Sequence, residues 1–256
     1  MRLTVSALQI SSRPGEKELN LRHLESVVRG LPEDCDLAVA PELYTTGYDL
    51  EMLGGSRSAQ LAEPSDGPSI TRLTNLAEAT RLSLVVGFLE TDGRRIFDSV
   101  VVTSPGKTPV VYRKTHLYPP EQPVFSPGEA LVVADTPSAS IGLMICFEHA
   151  FPEVAGRLAL SGTDVLAIPS AVPVGYEHVL SLRTRARAQD NQIFAVGANM
   201  PAPFCGRSLI VDPRGQVLAE AGSGEEIITA RIDLDEVATE RAREPSLRLR
   251  RPELYG

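Results

Sequence analysis

The stretch that decides the fold runs from Ser140 to Glu153 and reads SIGLMICFEHAFPE. Its first part, Ile141 to Ile145, is a short apolar run without polar interruption, which is typical of a strand buried on both faces. The strand pattern stops at Cys146. Pro152 then fits the first turn of a helix, with Glu153 near the positive end of the helix dipole. The stretch therefore predicts a thiol at a strand-to-helix corner.

A thiol at such a corner has two interpretations. It is held rigidly beside backbone N–H groups, which suits a nucleophile, but most unpaired cysteines are simply small buried hydrophobic residues. The three cysteines, Cys35, Cys146 and Cys205, are odd in number and far apart. They form neither a disulfide framework nor a C-x-x-C metal site. We therefore expect no metal site and a reduced, cytoplasmic location.

The composition excludes several classes of protein. The 256 residues include 25 Lys and Arg against 33 Asp and Glu, which gives a net charge of -8. An acidic chain of this kind argues against non-specific binding to nucleic acid or to anionic membranes. No apolar run approaches the roughly 18 residues that span a bilayer, and the N-terminus does not resemble a signal peptide. The arginine-rich end, residues 241–251, is a local exception that we interpret as a solvated or interface-lining tail.

Strand and helix patterns alternate along the whole chain. The predicted strands cover 4–10, 37–40, 84–89, 99–103, 110–112, 141–145, 164–168, 193–198, 208–211, 216–219 and 227–232. The predicted helices cover 18–31, 71–80, 153–161 and 176–191. Because no linker, repeat or change in composition interrupts this alternation, the sequence predicts one α/β domain spanning residues 1–256.

Three reactive side chains follow predicted strands directly: Glu42, Lys114 and Cys146. Ligands of α/β sheets bind outside the carboxyl ends of strands, so these side chains are candidates to share one crevice. A free thiol has a pKa of about 8.5, and a carboxylate that takes its proton or an ammonium that lowers its pKa would activate it. Lys114 and the backbone N–H of Phe147 are candidate donors to an oxyanion formed by attack on a carbonyl group.

The residues around these three side chains resemble a known family. Pro41 to Tyr48 (PELYTTGY), Tyr112 to Leu117 (YRKTHL) and Ile145 to Glu148 (ICFE) closely resemble the nitrilase superfamily of carbon–nitrogen hydrolases. The order Glu, Lys, Cys matches the catalytic triad of that family. The resemblance covers nearly the whole chain, with further matching motifs at Ser126–Gly128, Arg187–Asn191, Gly206–Gly215 and Arg250–Tyr255.

This resemblance implies a fold and an assembly. The fold is a four-layer α-β-β-α sandwich, and the assembly is a homodimer or a higher homo-oligomer without a cofactor. The family also implies a second glutamate in the loop after the lysine, where Glu121 is the only candidate close after Lys114. Its implied role is to orient Lys114 or the substrate, and the alternative is an ordinary solvated carboxylate.

The motifs indicate different classes of substrate. Tyr112 to Leu117 and Phe151 to Glu153 are similar to the amidase and carbamoyl-hydrolase branches, whereas Cys146 to His149 is partly similar to true nitrilases. We predict a small-molecule amidase that releases ammonia through a cysteine thioester. The alternatives are a nitrilase, an N-carbamoyl hydrolase or an acyltransferase with the same triad. A catalytically silent scaffold on the same fold is a further alternative.

The resemblance also assigns residues to the mouth of the pocket. His178 either lines the substrate site or is an ordinary histidine on a helix surface. The remaining positions are mostly small or uncharged, which favours a neutral substrate, although one of Arg183, Arg185 and Arg187 is a candidate to hold a carboxylate. The other residues assigned to the mouth are Tyr48, Tyr118, Ser170, Ala171 and Tyr176.

Overall fold

The computed structural model describes residues 1–254 and consists of two stacked six-stranded sheets. The strands of the first sheet are β1 (Arg2–Gln9), β2 (Cys35–Val39), β3 (Ser83–Thr91), β4 (Ile96–Thr103), β5 (Val110–Arg113) and β12 (Glu226–Asp233), in the spatial order β12-β1-β2-β3-β4-β5. The strands of the second are β6 (Val133–Asp135), β7 (Ser140–Leu143), β8 (Val165–Ser170), β9 (Phe194–Asn199), β10 (Leu209–Val211) and β11 (Val217–Glu220), in the order β11-β10-β9-β8-β7-β6.

Each sheet has a centre of three parallel strands flanked by antiparallel ones. β1, β2 and β3 are parallel to one another, and so are β7, β8 and β9. β5 is antiparallel to β4, which is antiparallel to β3, so β5 runs in the same direction as β2 and β3. The carboxyl ends of β2 and β5 therefore meet at one edge of the first sheet, as the placement of Glu42 and Lys114 requires.

Helices cover the outer face of each sheet. The longer helices on these faces are α1 (Lys17–Arg29), α4 (Pro68–Thr80), α5 (Pro152–Leu160) and α6 (Glu177–Asn191). The other helices are α7 (Asp235–Arg243) and the short α2 (Leu50–Leu53) and α3 (Ser58–Leu61). Short 3-10 segments cover Pro119–Glu121, Cys146–Ala150 and Pro252–Leu254. None of the helices in the described part of the chain is both long and apolar enough to cross a membrane.

Three apolar clusters form the layers of the fold, and a fourth, smaller one contains Leu53 of α2. One cluster fills the space between the two sheets and includes Val39, Ile141 and Val196, all fully buried. A second cluster lies between the first sheet and α1 and α4, and a third lies between the second sheet and α5 and α6. Strands that are buried on both faces read as continuous apolar runs, which is why their sequences predicted them. The predicted four-layer α-β-β-α sandwich is confirmed.

Several segments differ from the sequence prediction, and the short helices α2 and α3 are among them, because no helix was predicted there. Between β7 and α5 the chain makes a 3-10 turn from Cys146 to Ala150, where no regular element was expected. The arginine-rich end contains α7, so the prediction of a solvated or interface-lining tail is incomplete. Val237 anchors this helix because its side chain is buried in the cluster between the sheets. Tyr255, the last residue of the C-terminal motif, lies outside the described residues.

Candidate active site

Glu42 is held by a tight approach of two chain segments beyond the end of β2. The carbonyl of Pro41 accepts a hydrogen bond from the backbone N–H of Gly87 at 3.3 Å. A Cβ at Gly87 would lie 2.3 Å from the backbone nitrogen of Leu43, so only glycine permits this approach. Leu43 itself has a φ of 45°, a backbone conformation that is rare outside glycine. The packing of β3 therefore dictates where Glu42 points.

Lys114 is fixed by backbone contacts on both sides. Its N–H donates to the carbonyl of Asp98 on β4 at 2.9 Å, and its carbonyl accepts from Gly128 at 2.8 Å. A Cβ at Gly128 would lie 2.3 Å from the carbonyl oxygen of Arg113. The Pro-rich loop that contains Gly128 thus packs directly on the end of β5 and covers Lys114, whose side chain is fully buried.

Cys146 sits at the predicted corner, in a conformation that stores strain. Its φ is 42°, in the left-handed region, and such a conformation costs about 1–3 kcal/mol in a residue other than glycine. The side chain is half-buried. The backbone N–H of Ala171, just past the end of β8, acts to lower the pKa of the thiol. The surrounding structure therefore presents the sulfur atom at a fixed position, with the backbone N–H of Phe147 next along the chain.

The Lys114 ammonium lies among three carboxyl groups. Its Nζ is 2.5 Å from Oε1 of Glu42, 2.7 Å from Oε1 of Glu121 and 3.2 Å from Oδ2 of Asp98. All four side chains are buried. The three carboxyl groups lie close enough together to ligate a metal ion, but the Lys114 ammonium already occupies the place of the cation and can donate one N–H to each. The cluster is therefore a closed ionic network.

Burial and charge oppose each other in this network. Burial raises the pKa of Glu42, and the adjacent Lys114 ammonium acts in the other direction. Burial likewise raises the pKa of Asp98 well above its usual value. For Lys114, burial favours the neutral amine, but the three carboxyl groups outweigh this effect and raise its pKa. Lys114 is therefore a cation at any working pH.

The thiol of Cys146 is protonated at rest. Burial and the negative charge of Glu42 raise its pKa, while Lys114 and the Ala171 N–H lower it, and the net effect is a pKa well above the usual value. We expected the lysine to activate the thiol by lowering its pKa, and its contribution is indeed in that direction but is outweighed. Because the thiol does not ionise by itself, a nucleophilic role for Cys146 requires a base. Glu42 is the candidate, because it is the charged group that acts most strongly on the thiol.

Glu121 is buried rather than solvated. In addition to Lys114, its carboxyl group accepts hydrogen bonds from the Tyr48 hydroxyl at 2.7 Å and from the Tyr118 N–H at 2.8 Å. The structure thus brings together five of the residues selected from the sequence, namely Glu42, Lys114, Glu121, Cys146 and Tyr48. Burial raises the pKa of Tyr48, so its hydroxyl remains a hydrogen-bond donor.

Glu148, whose role the sequence left open, connects the turn that carries Cys146 to the chain around Lys114. Its Oε1 accepts hydrogen bonds from the Tyr112 hydroxyl at 2.6 Å, the Thr115 hydroxyl and N–H at 2.6 and 2.8 Å, and the His116 N–H at 3.2 Å. Its Oε2 accepts from the Ile145 N–H at 2.7 Å. Burial acts to raise the pKa of Glu148, but these donors and the His116 side chain lower it. The carboxylate therefore ties the segment around Lys114 to the segment around Cys146.

Two residues of the site were missed in the sequence. Asp98 lies inside β4, and the sequence signal that could have found it is the single charged residue in the mainly apolar stretch IFDSVVVT. Phe204 lies in the loop after β9 and packs edge-on against Tyr48, with ring centroids 5.9 Å apart. The loop is held beside the end of β8, because the Cys205 N–H donates to the carbonyl of Val172 at 2.9 Å.

The other predicted pocket residues are spread more widely. Ser170 is buried and donates its hydroxyl to the carbonyl of Ile168. Tyr118 is exposed, with its ring edge-on to Phe147 at 5.3 Å. Tyr176 and His178 are exposed at the start of α6. Thus the backbone N–H of Ala171 acts on the pKa of the thiol, whereas His178 and Tyr176 lie on the protein surface.

Two of the three candidate arginines are already bound to the backbone. Arg185 donates to the carbonyl of Gly215 at 2.9 Å, and Arg187 donates to the carbonyl of His149 at 3.2 Å. Arg183 is half-buried. Burial, together with Arg183 and Arg187, lowers the pKa of His149 to about 3, so its imidazole is neutral.

Comparison with known proteins agrees with this geometry. The model of the carbon–nitrogen hydrolase family matches residues 4–242. An (R)-stereoselective amidase from Pseudomonas sp is 33% identical over 260 residues, covering 99% of this chain and 93% of that protein. The crystal structure of Nit3 from Saccharomyces cerevisiae, a member of branch 10 of the nitrilase superfamily, has a TM-score of 0.87 and 30% identity, covering 95% of this chain and 94% of that chain.

A further solved structure bears on the cysteine. A mutant of the amidase from Nesterenkonia sp. AN1 has a TM-score of 0.86 and 25% identity, covering 99% of this chain and 95% of that chain. In that structure the acetamide moiety of fluoroacetamide is covalently attached to the active-site cysteine.

Proposed function

The chain belongs to the carbon–nitrogen hydrolase family, and from this premise we propose that it hydrolyses small-molecule amides through a thioester on Cys146. The observation that carries the proposal is the buried contact between the Lys114 ammonium and the Glu42 carboxyl group, 2.5 Å apart, with both groups acting electrostatically on the Cys146 thiol. A scaffold protein would have no need of this costly buried ion pair beside a strained cysteine.

The first half of the reaction forms the thioester. Glu42 takes the proton of the Cys146 thiol as the sulfur attacks the amide carbon. The charge that develops on the carbonyl oxygen is stabilised by Lys114 and by the N–H of Phe147. The three N–H bonds of Lys114 are engaged at rest, and the contact with Asp98 at 3.2 Å is the longest of them. It is therefore the one that yields when Lys114 turns to the oxyanion. Glu42 then gives the proton to the departing amine, and the C–N bond breaks.

The second half releases the acid. A water molecule attacks the thioester carbon and gives a proton to Glu42, which acts again as a base. The C–S bond breaks, the carboxylic acid leaves, and the proton on Glu42 returns to the sulfur. Glu121 acts by holding Lys114 in place, supported by its hydrogen bonds from Tyr48 and Tyr118. Each group is thus restored at the end of the cycle.

The substrate we propose is a small, neutral primary amide, and the leaving group is ammonia. Several uncharged side chains surround this part of the site: Tyr48 donates to Glu121, Phe204 packs on Tyr48, and Phe147 follows Cys146 in the chain. Arg185 and Arg187 are occupied by backbone carbonyls, which argues against a carboxylate subsite built from them. The name of the Pseudomonas relative, an (R)-stereoselective amidase, further supports amides as the substrate class.

An ammonia-release screen tests this assignment. Purified protein is incubated with panels of primary amides, N-carbamoyl compounds and nitriles, and Cys146→Ala serves as the inactive control. We expect ammonia from neutral amides with the wild type and none with the variant. Turnover of nitriles or carbamoyl compounds in preference to amides would overturn the substrate class, and transfer of the acyl group to added hydroxylamine in place of water would identify an acyltransferase.

We also propose a domain organisation, an assembly and a cellular location for the protein. Residues 1–256 act as one domain, and the chain assembles as a homodimer or a higher homo-oligomer. The three cysteines are all free, which supports a reducing, cytoplasmic location. Light scattering at the assay concentration tests the assembly, and a monomeric mass would contradict it.

A further inference from the structure

Two buried oxygen atoms of the ionic network have no hydrogen-bond partner. Within residues 1–254, Oε2 of Glu42 and Oδ1 of Asp98 neither donate nor accept a hydrogen bond, and both side chains are fully buried. The two carboxyl groups are nevertheless close neighbours, because one oxygen of each lies within 4.8 Å of the other. A buried acceptor without a donor is costly and rare in native proteins. One proton between these two oxygens would satisfy both.

The total charge of the network also indicates that it holds one extra proton. Three carboxylates and one ammonium would carry two net negative charges if all were ionised, in a region closed to water. Carboxylates that share one dry site cannot all remain charged, and one of them keeps its proton. The total then falls to one net negative charge.

The hydrogen bonds indicate which carboxyl group keeps that proton. Glu121 receives three donors, from Lys114, Tyr48 and Tyr118, all within 2.8 Å. Glu42 receives the shortest contact from Lys114, at 2.5 Å. Asp98 receives only the longest one, at 3.2 Å. Because donors stabilise the charged form, Asp98 is the least compensated of the three.

We propose that Asp98 is a neutral carboxylic acid in the resting protein and donates its proton from Oδ1 to Oε2 of Glu42, which makes it a positioning residue for the general base. This role rests on the proposed function of Glu42. The charged groups that act most strongly on Asp98 belong to the same network, with Lys114 at the end of β5, Glu42 beyond β2 and Glu121 in the 3-10 turn. Burial also favours the neutral form of Asp98, because it raises the pKa of that group.

This hydrogen bond has a chemical consequence for catalysis. A donor to the Glu42 carboxylate stabilises its charged form and so offsets the effect of burial on its pKa. Glu42 then remains ionised at neutral pH, as a base must be. A carboxylate has lone pairs for several donors, so Glu42 can accept from Lys114 and Asp98 and still take the proton of Cys146. A neutral Asp98 also adds no repulsion against the thiolate as it forms.

Substitution of Asp98 shifts the acid limb of the pH–kcat/KM profile in opposite directions for the two possible charge states of Asp98. If Asp98 is a neutral donor, Asp98→Ala removes a stabilising bond and moves the acid limb of the pH–kcat/KM profile upward by about one to two pH units. Asp98→Asn keeps a neutral donor and moves the limb less. If Asp98 is instead a carboxylate, both variants remove a negative charge and move the limb downward. Asp92→Asn, on the exposed β3–β4 turn, is the matched control and leaves the limb in place.

Infrared spectroscopy supplies a readout that does not depend on turnover. We expect a carbonyl stretch of a protonated carboxylic acid in the wild type at pH 7 and its loss in Asp98→Asn. A band that persists in Asp98→Asn but disappears in Glu42→Gln would place the proton on Glu42 and overturn the proposal. A downward shift of the acid limb in the Asp98 variants would overturn it as well.

The pH dependence of the rate at which iodoacetamide alkylates Cys146 gives the same acid limb in the absence of a substrate. The alkylation is measured by peptide mass spectrometry. If the wild type hydrolyses none of the amides, the proposed function fails, while the infrared and alkylation results still decide the state of Asp98. Circular dichroism confirms that each variant is folded. Should Asp98→Ala not fold, the sign of the Asp98→Asn shift and the infrared band decide the proposal alone.

Discussion

Replacement of Glu148 by glutamine is the sharpest test of how the site is held together. The variant keeps one oxygen acceptor for Tyr112, Thr115 and His116 but presents an NH2 group to the Ile145 N–H, which loses its partner. It also removes the negative charge that strengthens every one of these bonds. Hydrogen bonds to charged groups contribute about 1.5–3 kcal/mol each, and a buried unsatisfied donor costs about 1–3 kcal/mol. We therefore expect Glu148→Gln to lower the free energy of unfolding by about 2–4 kcal/mol.

The loss of stability in Glu148→Gln should be measurable as a lower Tm, and the variant should also have a lower kcat. For a chain of this size, each kcal/mol corresponds to about 2–4 °C in Tm, so calorimetry should record a decrease of about 5–15 °C. Because Glu148 joins the segments that carry Lys114 and Cys146, a small displacement between them should also lower kcat about 10²-fold. Glu33→Gln, at an exposed glutamate in the turn before β2, is the matched control and should change neither quantity.

The pH dependence of the stability difference between the wild type and Glu148→Gln gives a further check. The pKa of Glu148 is lower in the folded protein than in the unfolded chain, so its stabilisation is present above the unfolded value of about 4.3 and is lost as the pH falls through the folded value. The stability gap between the wild type and Glu148→Gln should therefore be largest near pH 7 and shrink below about pH 4. Equal Tm and kcat for the two proteins at pH 7 would refute the reasoning.

Three other substitutions test the remaining parts of the site. Glu42→Gln should fold normally but lower kcat/KM by at least about 10³-fold in ammonia-release assays, because no base takes the thiol proton; activity near that of the wild type would exclude Glu42 as the base. Lys114→Met should leave buried carboxyl groups without their cation and lower the free energy of unfolding by about 3–5 kcal/mol, measured by urea titration, and an unchanged midpoint would contradict this. Gly87→Ala should lower both Tm and kcat, since the added Cβ would lie 2.3 Å from the backbone nitrogen of Leu43, whereas Gly156→Ala in α5, with its nearest atom at 3.6 Å, should be tolerated or slightly stabilising.

The strand ends of the site could be predicted from the sequence because they depend on local patterns. Glu42, Lys114 and Cys146 each follow a short apolar run, and an apolar run buried on both faces identifies a strand and its end. The parallel centre of each sheet then places such ends at one edge. The four-layer arrangement followed from the family resemblance, since periodicity alone does not say how two sheets stack.

The parts that were missed depend on contacts between distant segments. Asp98 lies inside a strand, and only the antiparallel pairing of β4 with β5 brings it to Lys114. Glu148 finds most of its donors 32 to 36 residues earlier in the chain, in the segment from Tyr112 to His116. Phe204 reaches Tyr48 from a loop without a regular pattern. The net pKa of Cys146 also could not be read from its neighbours, because burial outweighs the lysine.

The central claim is that Cys146 becomes acylated during hydrolysis, and intact-protein mass spectrometry tests it most directly. Wild-type protein is mixed with a neutral primary amide that it hydrolyses, quenched in acid within the first turnovers, and compared with Cys146→Ala. We predict a mass increase equal to the acyl group in the wild type, located on Cys146 by peptide mapping, and neither adduct nor ammonia from the variant. Release of ammonia by Cys146→Ala at the wild-type rate would contradict the mechanism.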